Sequence, residues 1–175
     1  MNSRISTFVL IGPPGAGKTT TGRLFAESRG LSFLDTDQVI EERTGRTIAE
    51  IFVDLGEAKF REIEEQVVLD SLKSERVVVS LGGGSVLSRK VQEELSKRLP
   101  ARIVVFLDVS ISSAAPRVGF NKGRPLLMMN PRSQWQELMN ARRPIYLNLA
   151  DHTIDTTELS PGEVVTQLAM LGSEA

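Results

Sequence analysis

Two hydrophobic rhythms alternate along the chain. Short apolar segments recur at 7–11, 32–34, 76–81, 103–107 and 152–154, and several are continuous runs, the pattern of strands covered on both faces. Between them apolar residues return at helical spacing over roughly 17–28, 37–43, 48–54, 57–74, 88–98, 133–150 and 161–171. Strand and helix taking turns in this way predict right-handed βαβ crossovers and a mainly parallel sheet flanked by helices, an α/β fold. One interval breaks the rhythm. Residues 119–131 hold two Gly, two Pro and no clear period, which predicts a long loop, either an active-site lid or a surface excursion.

Composition narrows the class. The 175 residues suit one core and a single domain over 1–175. With 41% hydrophobic and 25% charged residues, disordered and collagen-like chains are excluded. Lys+Arg of 21 against Asp+Glu of 22 gives a net charge of −1, without the basic excess of a protein that neutralises many phosphates, so nucleic acid is not an expected partner. The chain has no cysteine and one histidine, His152, which excludes disulfides, thiolate chemistry and multi-His metal centres. Apolar runs such as Ile103-Val-Val-Phe-Leu107 fall far short of the ~20 residues of a membrane-spanning helix. Met1–Thr7 leads straight into a strand-like segment without the apolar stretch of a signal peptide. A cytoplasmic protein with no membrane partner is expected.

The chemistry begins at Gly12-Pro-Pro-Gly-Ala-Gly-Lys-Thr19, which satisfies G-x-x-x-x-G-K-[ST] after an apolar strand and at the start of a helix. In such a loop backbone N–H groups around Gly12, Gly15, Ala16 and Gly17 curl about phosphate oxygens, Lys18 places a charge on the β/γ-phosphates and the Thr19 hydroxyl can ligate Mg²⁺, with Thr20 next in line. The motif predicts a nucleoside triphosphate. Guanine-specific proteins carry Asn-Lys-x-Asp, whereas the Asn-Lys pair here reads Asn121-Lys-Gly-Arg124, which favours ATP.

Leu34-Asp-Thr-Asp37 closes the second strand. An extended backbone would point Asp35 and Asp37 to one side, at the strand end where open α/β sheets bind ligands. One carboxylate could orient Mg²⁺ waters while the other accepts a proton from an attacking hydroxyl. The plain alternative is that Asp37 N-caps the following helix. Val77-Val-Val-Ser-Leu81 runs into Gly82-Gly-Gly84, either a floor against which a substrate lies or a flexible turn, and Ser80 is a second hydroxyl near the metal or an ordinary strand residue. Arg61 sits in a charge-rich helix where pairing with Glu64 or Glu65 would account for it. Arg142 and Arg143 precede Pro144 near a helix end, where cations suit the dipole. Arg124, on the loop, could meet transferring phosphoryl charge on closure or be a free surface cation. His152 reads as structural, and Trp135 with Met128, Met129 and Met139 as local packing.

Taken in order, these residues resemble the shikimate kinase family over nearly the whole chain, from Phe8 to about Val165. The match runs through the phosphate loop, Leu34-Asp-Thr-Asp37, Thr44-Gly-Arg-Thr-Ile-Ala-Glu-Ile-Phe52, Gly56-Glu57, Phe60-Arg-Glu-Ile-Glu64, Ser80-Leu-Gly-Gly-Gly84, Arg124-Pro-Leu-Leu127 and Arg142-Arg-Pro-Ile-Tyr146. The resemblance implies a three-layer P-loop fold like that of nucleoside-monophosphate kinases, with a five-stranded parallel sheet of order 2-3-1-4-5. It also implies a shikimate-binding helical region at about 35–64 and a lid at about 119–131. The implied reaction moves the ATP γ-phosphoryl group to the 3-hydroxyl of shikimate. In it Asp37 is the base, Arg61 and Arg142 hold the substrate carboxylate, and Gly82, Gly83 and Gly84 line the ring. Lys18 and Arg124 stabilise the transferring group, Thr19, Asp35 and Ser80 serve Mg²⁺, and Arg117 lies near adenine. Two points depart from the pattern: 155–161 lacks a basic residue that many relatives place near adenine, and a one-residue shift would give Arg142's role to Arg143. Gluconate kinase on the same fold, or a silent nucleotide-binding relative, are the competing readings. A monomer is expected.

Overall fold

The computed structural model describes residues 6–118 and 130–171. Strands β1 (Thr7–Ile11), β2 (Ser32–Asp35), β3 (Val77–Ser80), β4 (Arg102–Asp108) and β5 (His152–Asp155) form one parallel sheet in the order β2-β3-β1-β4-β5. Every residue of β1, β3 and β4 is buried, because βαβ crossovers put cover on both faces and leave no polar side to the strand. The edge strands β2 and β5 are more exposed and less apolar.

The described helices are α1 (Lys18–Arg29), α2 (Thr36–Thr44), α3 (Ile48–Ser71), α4 (Arg89–Leu95), α5 (Ile111–Val118), α6 (Pro131–Leu149) and α7 (Pro161–Leu171). One main core joins the sheet to α1, α4, α6 and α7, with Phe8 and Phe25 edge to face at 4.7 Å. A second, smaller nucleus of Ile40, Ile51, Phe60 and Val67 fastens α2 to α3. The site-bearing helices therefore have their own apolar anchor beside the sheet.

The expected helices 48–54 and 57–74 are both present and meet at Gly56, whose φ 82°, ψ 166° is not helical; they are numbered together as α3. The apolar period survives the bend, so both halves bury one face. Helix α5 escaped the periodicity reading because Pro116 lies inside it and its buried residues are only Ala114 and Ala115. The expected loop 119–131 overlaps a helix at its end: Pro131 opens α6, where its fixed φ suits the first turn and its missing N–H costs nothing. Residues 119–129, with Arg124, Met128 and Met129, lie outside the described residues. No described helix is long and apolar enough to cross a membrane.

Candidate active site

The chain leaves β1 at Ile11 and enters α1 at Lys18 through a loop whose last residue, Gly17, is left-handed at φ 88°. Gly12 lies so close to the Leu107 backbone that a Cβ there would overlap its carbonyl oxygen. Helix α1 has no side-chain cap and no acid in its first turn, so its N-terminal N–H groups are left for an anion. Lys18 Nζ donates to the Gly12 and Pro13 carbonyls at 2.8 and 2.9 Å, which folds the ammonium over the loop.

At the end of β2 the two aspartates divide their roles. Asp35 is the N-cap of α2: its Oδ1 accepts from the Asp37 N–H at 3.0 Å, and its Oδ2 accepts from the Thr19 hydroxyl at 2.6 Å. The cap alternative for Asp37 is therefore corrected, since the helix starts at Thr36, one residue after Asp35. The same early start removes the extended geometry expected of the pair, yet both aspartates line one cavity. Thr36 between them is fully buried; its hydroxyl donates to the Ser80 carbonyl at 3.2 Å and accepts from Gly82 N–H at 3.0 Å. Ser80 is buried and stands opposite Asp35 in the β2–β3 register.

The glycine run is a contact surface for charged side chains. A Cβ on Gly82 would lie 2.7 Å from Asp37 Oδ1 and 2.8 Å from Glu64 Oε1, and one on Gly84 would lie 2.8 Å from Arg61 Cζ. Bare main chain at these positions leaves room for the charged side chains as they are placed. Arg61 pairs with Glu64 at 2.6 Å and Glu57 at 3.3 Å, and Glu64, only 3% exposed, also accepts from the Ser85 hydroxyl at 2.8 Å. Of the two partners expected for Arg61, Glu64 is the one used. Glu65 instead accepts from Ser88 and Lys90, whose bonds hold its carboxyl below the usual range.

On α6 the neighbouring arginines part company. Arg143 pairs with Asp108 at the end of β4 at 2.5 Å. Arg142 lies with Pro13, Pro14, Trp135, Met139 and Tyr146 in a small recess behind the phosphate loop.

A cavity of about 440 Å³ joins these parts. Gly15, Ala16, Gly17, Lys18, Thr19 and Thr20 border it, as do Asp35, Asp37, Ser80, Gly82, Gly83 and Arg117. Gly12, Arg61, Gly84 and Arg142 are not among the residues that line it, and Arg142 lines the separate recess instead. Arg117 donates to the Gly15 and Thr156 carbonyls at 3.4 Å each. Thr156, Leu159, Pro161 and Val164 also line the cavity, and none of them carries a motif in the sequence. Their only signal is position, since they follow β5 at the carboxyl edge of the sheet. Buried Thr156 ties that segment to the loop through the Ala16 carbonyl, 3.2 Å from its hydroxyl.

The donors near Thr19 are all oxygens: one hydroxyl hydrogen-bonded to one carboxylate, and a buried second hydroxyl on Ser80. That set fits Mg²⁺, a hard cation that keeps most of its waters and takes few protein ligands. Among the described residues no cluster of three or more His, Cys, Asp or Glu could hold a metal ion.

A phosphate loop after the first strand of a 2-3-1-4-5 parallel sheet, and two carboxylates from the end of edge strand β2 and the start of α2 lining the same cavity, together define a P-loop kinase of small metabolites. The family model for shikimate kinase matches residues 14–171. A shikimate kinase of Thermobifida fusca is 46% identical over 161 residues, 92% of this chain and 91% of that protein, and one of Rhodococcus erythropolis is 48% identical over 91% and 93%. The structure of an Acinetobacter baumannii shikimate kinase in complex with shikimate superposes with a TM-score of 0.89 at 36% identity, covering 95% of this chain and 92% of that one. The chain belongs to the shikimate kinase family. Its reaction is transfer of the ATP γ-phosphoryl group to the 3-hydroxyl of shikimate, with Mg²⁺, in aromatic amino-acid biosynthesis.

Proposed function

We propose the following division of labour within that reaction. Asp37 accepts the proton of the shikimate 3-hydroxyl, Arg61 and Arg142 hold the substrate carboxylate, and Gly82, Gly83 and Gly84 lie beneath the ring. The observation that carries this reading is the crowding of Asp37 and Glu64 against Gly82 and of Arg61 against Gly84, which gives one patch of bare main chain a carboxylate on one flank and a guanidinium on the other. A hydroxy acid lying on that patch meets a base and a carboxylate-matching fork at once. Lys18, and Arg124 outside the described residues, stabilise charge on the transferring group, while Thr19, Asp35 and Ser80 are the residues that would hold Mg²⁺ and its waters. When bound, Mg²⁺ supplies neutralisation of phosphate charge. Arg117 places its charge at the nucleotide end, beside Leu159, Pro161 and Val164.

The test is coupled ADP release from MgATP with shikimate, with gluconate and with no acceptor, on wild type and Asp37→Asn. Turnover with shikimate alone is expected, together with loss of about 10²–10⁴-fold in kcat for the variant, the usual contribution of a positioned base, and near-normal ADP binding. A variant that keeps wild-type kcat removes Asp37 as the base.

We further infer that the chain works as a monomer in the cytoplasm. A chain without cysteine suits a reducing compartment, and a sedimentation mass of more than one chain would overturn the monomer.

A further inference from the structure

Arg142 and Tyr146 lie one turn apart on α6, so their side chains leave the same face of the helix. The Tyr146 ring is fully buried and stacks on Phe106 of β4, with centroids 5.0 Å apart and planes at 25°. Its hydroxyl donates to the Gly83 carbonyl at 2.6 Å. A phenol has one proton to give and lone pairs left to accept, and Arg142, one turn earlier on the same face, lines the same small recess as Tyr146 and lowers its ionisation against the effect of burial. The Tyr146 hydroxyl is therefore bonded to the middle of the glycine run, in the same recess as an arginine assigned to the substrate carboxylate.

We propose that Tyr146 is a positioning residue for the acceptor substrate: its hydroxyl sets the Gly83 carbonyl and the Arg142 guanidinium relative to each other, so that floor and anchor form one rigid unit. The inference rests on the reading of Arg142 as a carboxylate ligand. A comparison with Arg61 gives it chemical sense. Arg61 is oriented by the buried carboxylate of Glu64, which already neutralises part of its charge. Arg142 is oriented by a neutral oxygen, which directs the fork and leaves its charge for an anionic ligand. Burial keeps the phenol neutral, pushing its ionisation up to about 12.

Tyr146→Phe keeps the stacked ring and deletes the hydroxyl. The expected result is a rise of about three- to tenfold in shikimate KM, the size of one lost hydrogen bond, with MgATP KM changed less than twofold. Arg142→Ala should raise shikimate KM more, and Tyr146→Phe should then add nothing on top of it, because the hydroxyl acts through that arginine. A purely structural tyrosine would give a different picture, moving both KM values together or neither, and either outcome overturns the proposal. If Arg142→Ala leaves shikimate KM unchanged, the reading of Arg142 falls and this inference falls with it. If Arg142→Ala raises it and Tyr146→Phe does not, only the inference falls. Should the Phe variant not fold, the wild type answers instead. Tyr146 is the sole tyrosine, so isotope labelling of its phenol carbon gives one resonance, which shikimate should shift and ADP alone should leave in place. No shift with saturating shikimate overturns the proposal.

Discussion

Arg142 and Arg143 are adjacent in sequence and about 100° apart around a helix, so two residues with identical chemistry face different neighbours. Arg143 is committed to Asp108, and its side chain is 54% exposed, a setting in which an ion pair is worth about 0–1 kcal/mol. Arg143→Ala should therefore leave shikimate KM within about twofold and stability within about 1 kcal/mol, in contrast to Arg142→Ala; a large KM effect at 143 would reverse the assignment. The glycines admit a test of the same kind. At Gly84 a methyl group would meet the guanidinium of Arg61, the end of a flexible side chain that can swing away. Gly84→Ala is expected to fold with little loss of thermal stability and to raise shikimate KM by about tenfold or more, as one arm of a charge-assisted contact moves off. Steady-state kinetics beside a melting curve separates the two effects. At this scale the i,i+3 pairing of Arg61 with Glu64 was legible in the sequence. The burial of Glu64 was not, because a helix face crowded with charge gives no sign of which carboxylate turns toward the sheet.

Helix α3 carries its strain at one residue. Gly56 holds φ 82°, ψ 166°, and a methyl group on its Cα would meet nothing within 4 Å, so the glycine answers to the backbone and not to space. Gly56→Ala should cost about 1–3 kcal/mol, the range for a non-glycine residue forced into that region, read from denaturant unfolding. A neutral result would mean that the bend relaxes to a straight helix. Helix α6 reaches the phosphate loop directly, since the indole N–H of Trp135, 2% exposed, donates to the Pro14 carbonyl at 3.1 Å. Trp135 is the only tryptophan, so its emission should change when MgADP fills the loop, and a silent titration would show that the loop does not move against α6. Periodicity located both helices from sequence. It missed α5, because an internal proline and a buried face of only two alanines leave apolar spacing little to register.

Across the molecule, ionisation couples to folding at both ends of the pH scale. Burial raises the Tyr146 phenol from 10.0 to about 12, so the folded state keeps a proton that the unfolded chain has lost. Its contribution is complete below about pH 10 and disappears as pH rises toward 12, a loss of about 2–3 kcal/mol; tyrosinate absorbance of the sole tyrosine, followed with thermal melts, reads it, and Tyr146→Phe should abolish that alkaline slope. Asp70 works in the opposite sense. Bonds from Lys73, Arg43 and Gln66 lower its carboxyl to about 2, so its stabilisation is present above the ordinary carboxylate value and fades as pH falls toward 2. The sequence carried every signal that needs only a few consecutive residues: the buried strands, the phosphate loop whose glycines set its backbone path, and the strand–helix alternation that fixes the α/β class. The strand order was implied by resemblance to a family and did not follow from the alternation, since a crossover can return its strand to either side of its neighbour. Packing alone set Tyr146 against Gly83, Thr156 against Ala16 and Asp37 with Glu64 against Gly82. These contacts join segments dozens of residues apart, and hydrophobic periodicity reports which face of an element is buried but not what it will be buried against.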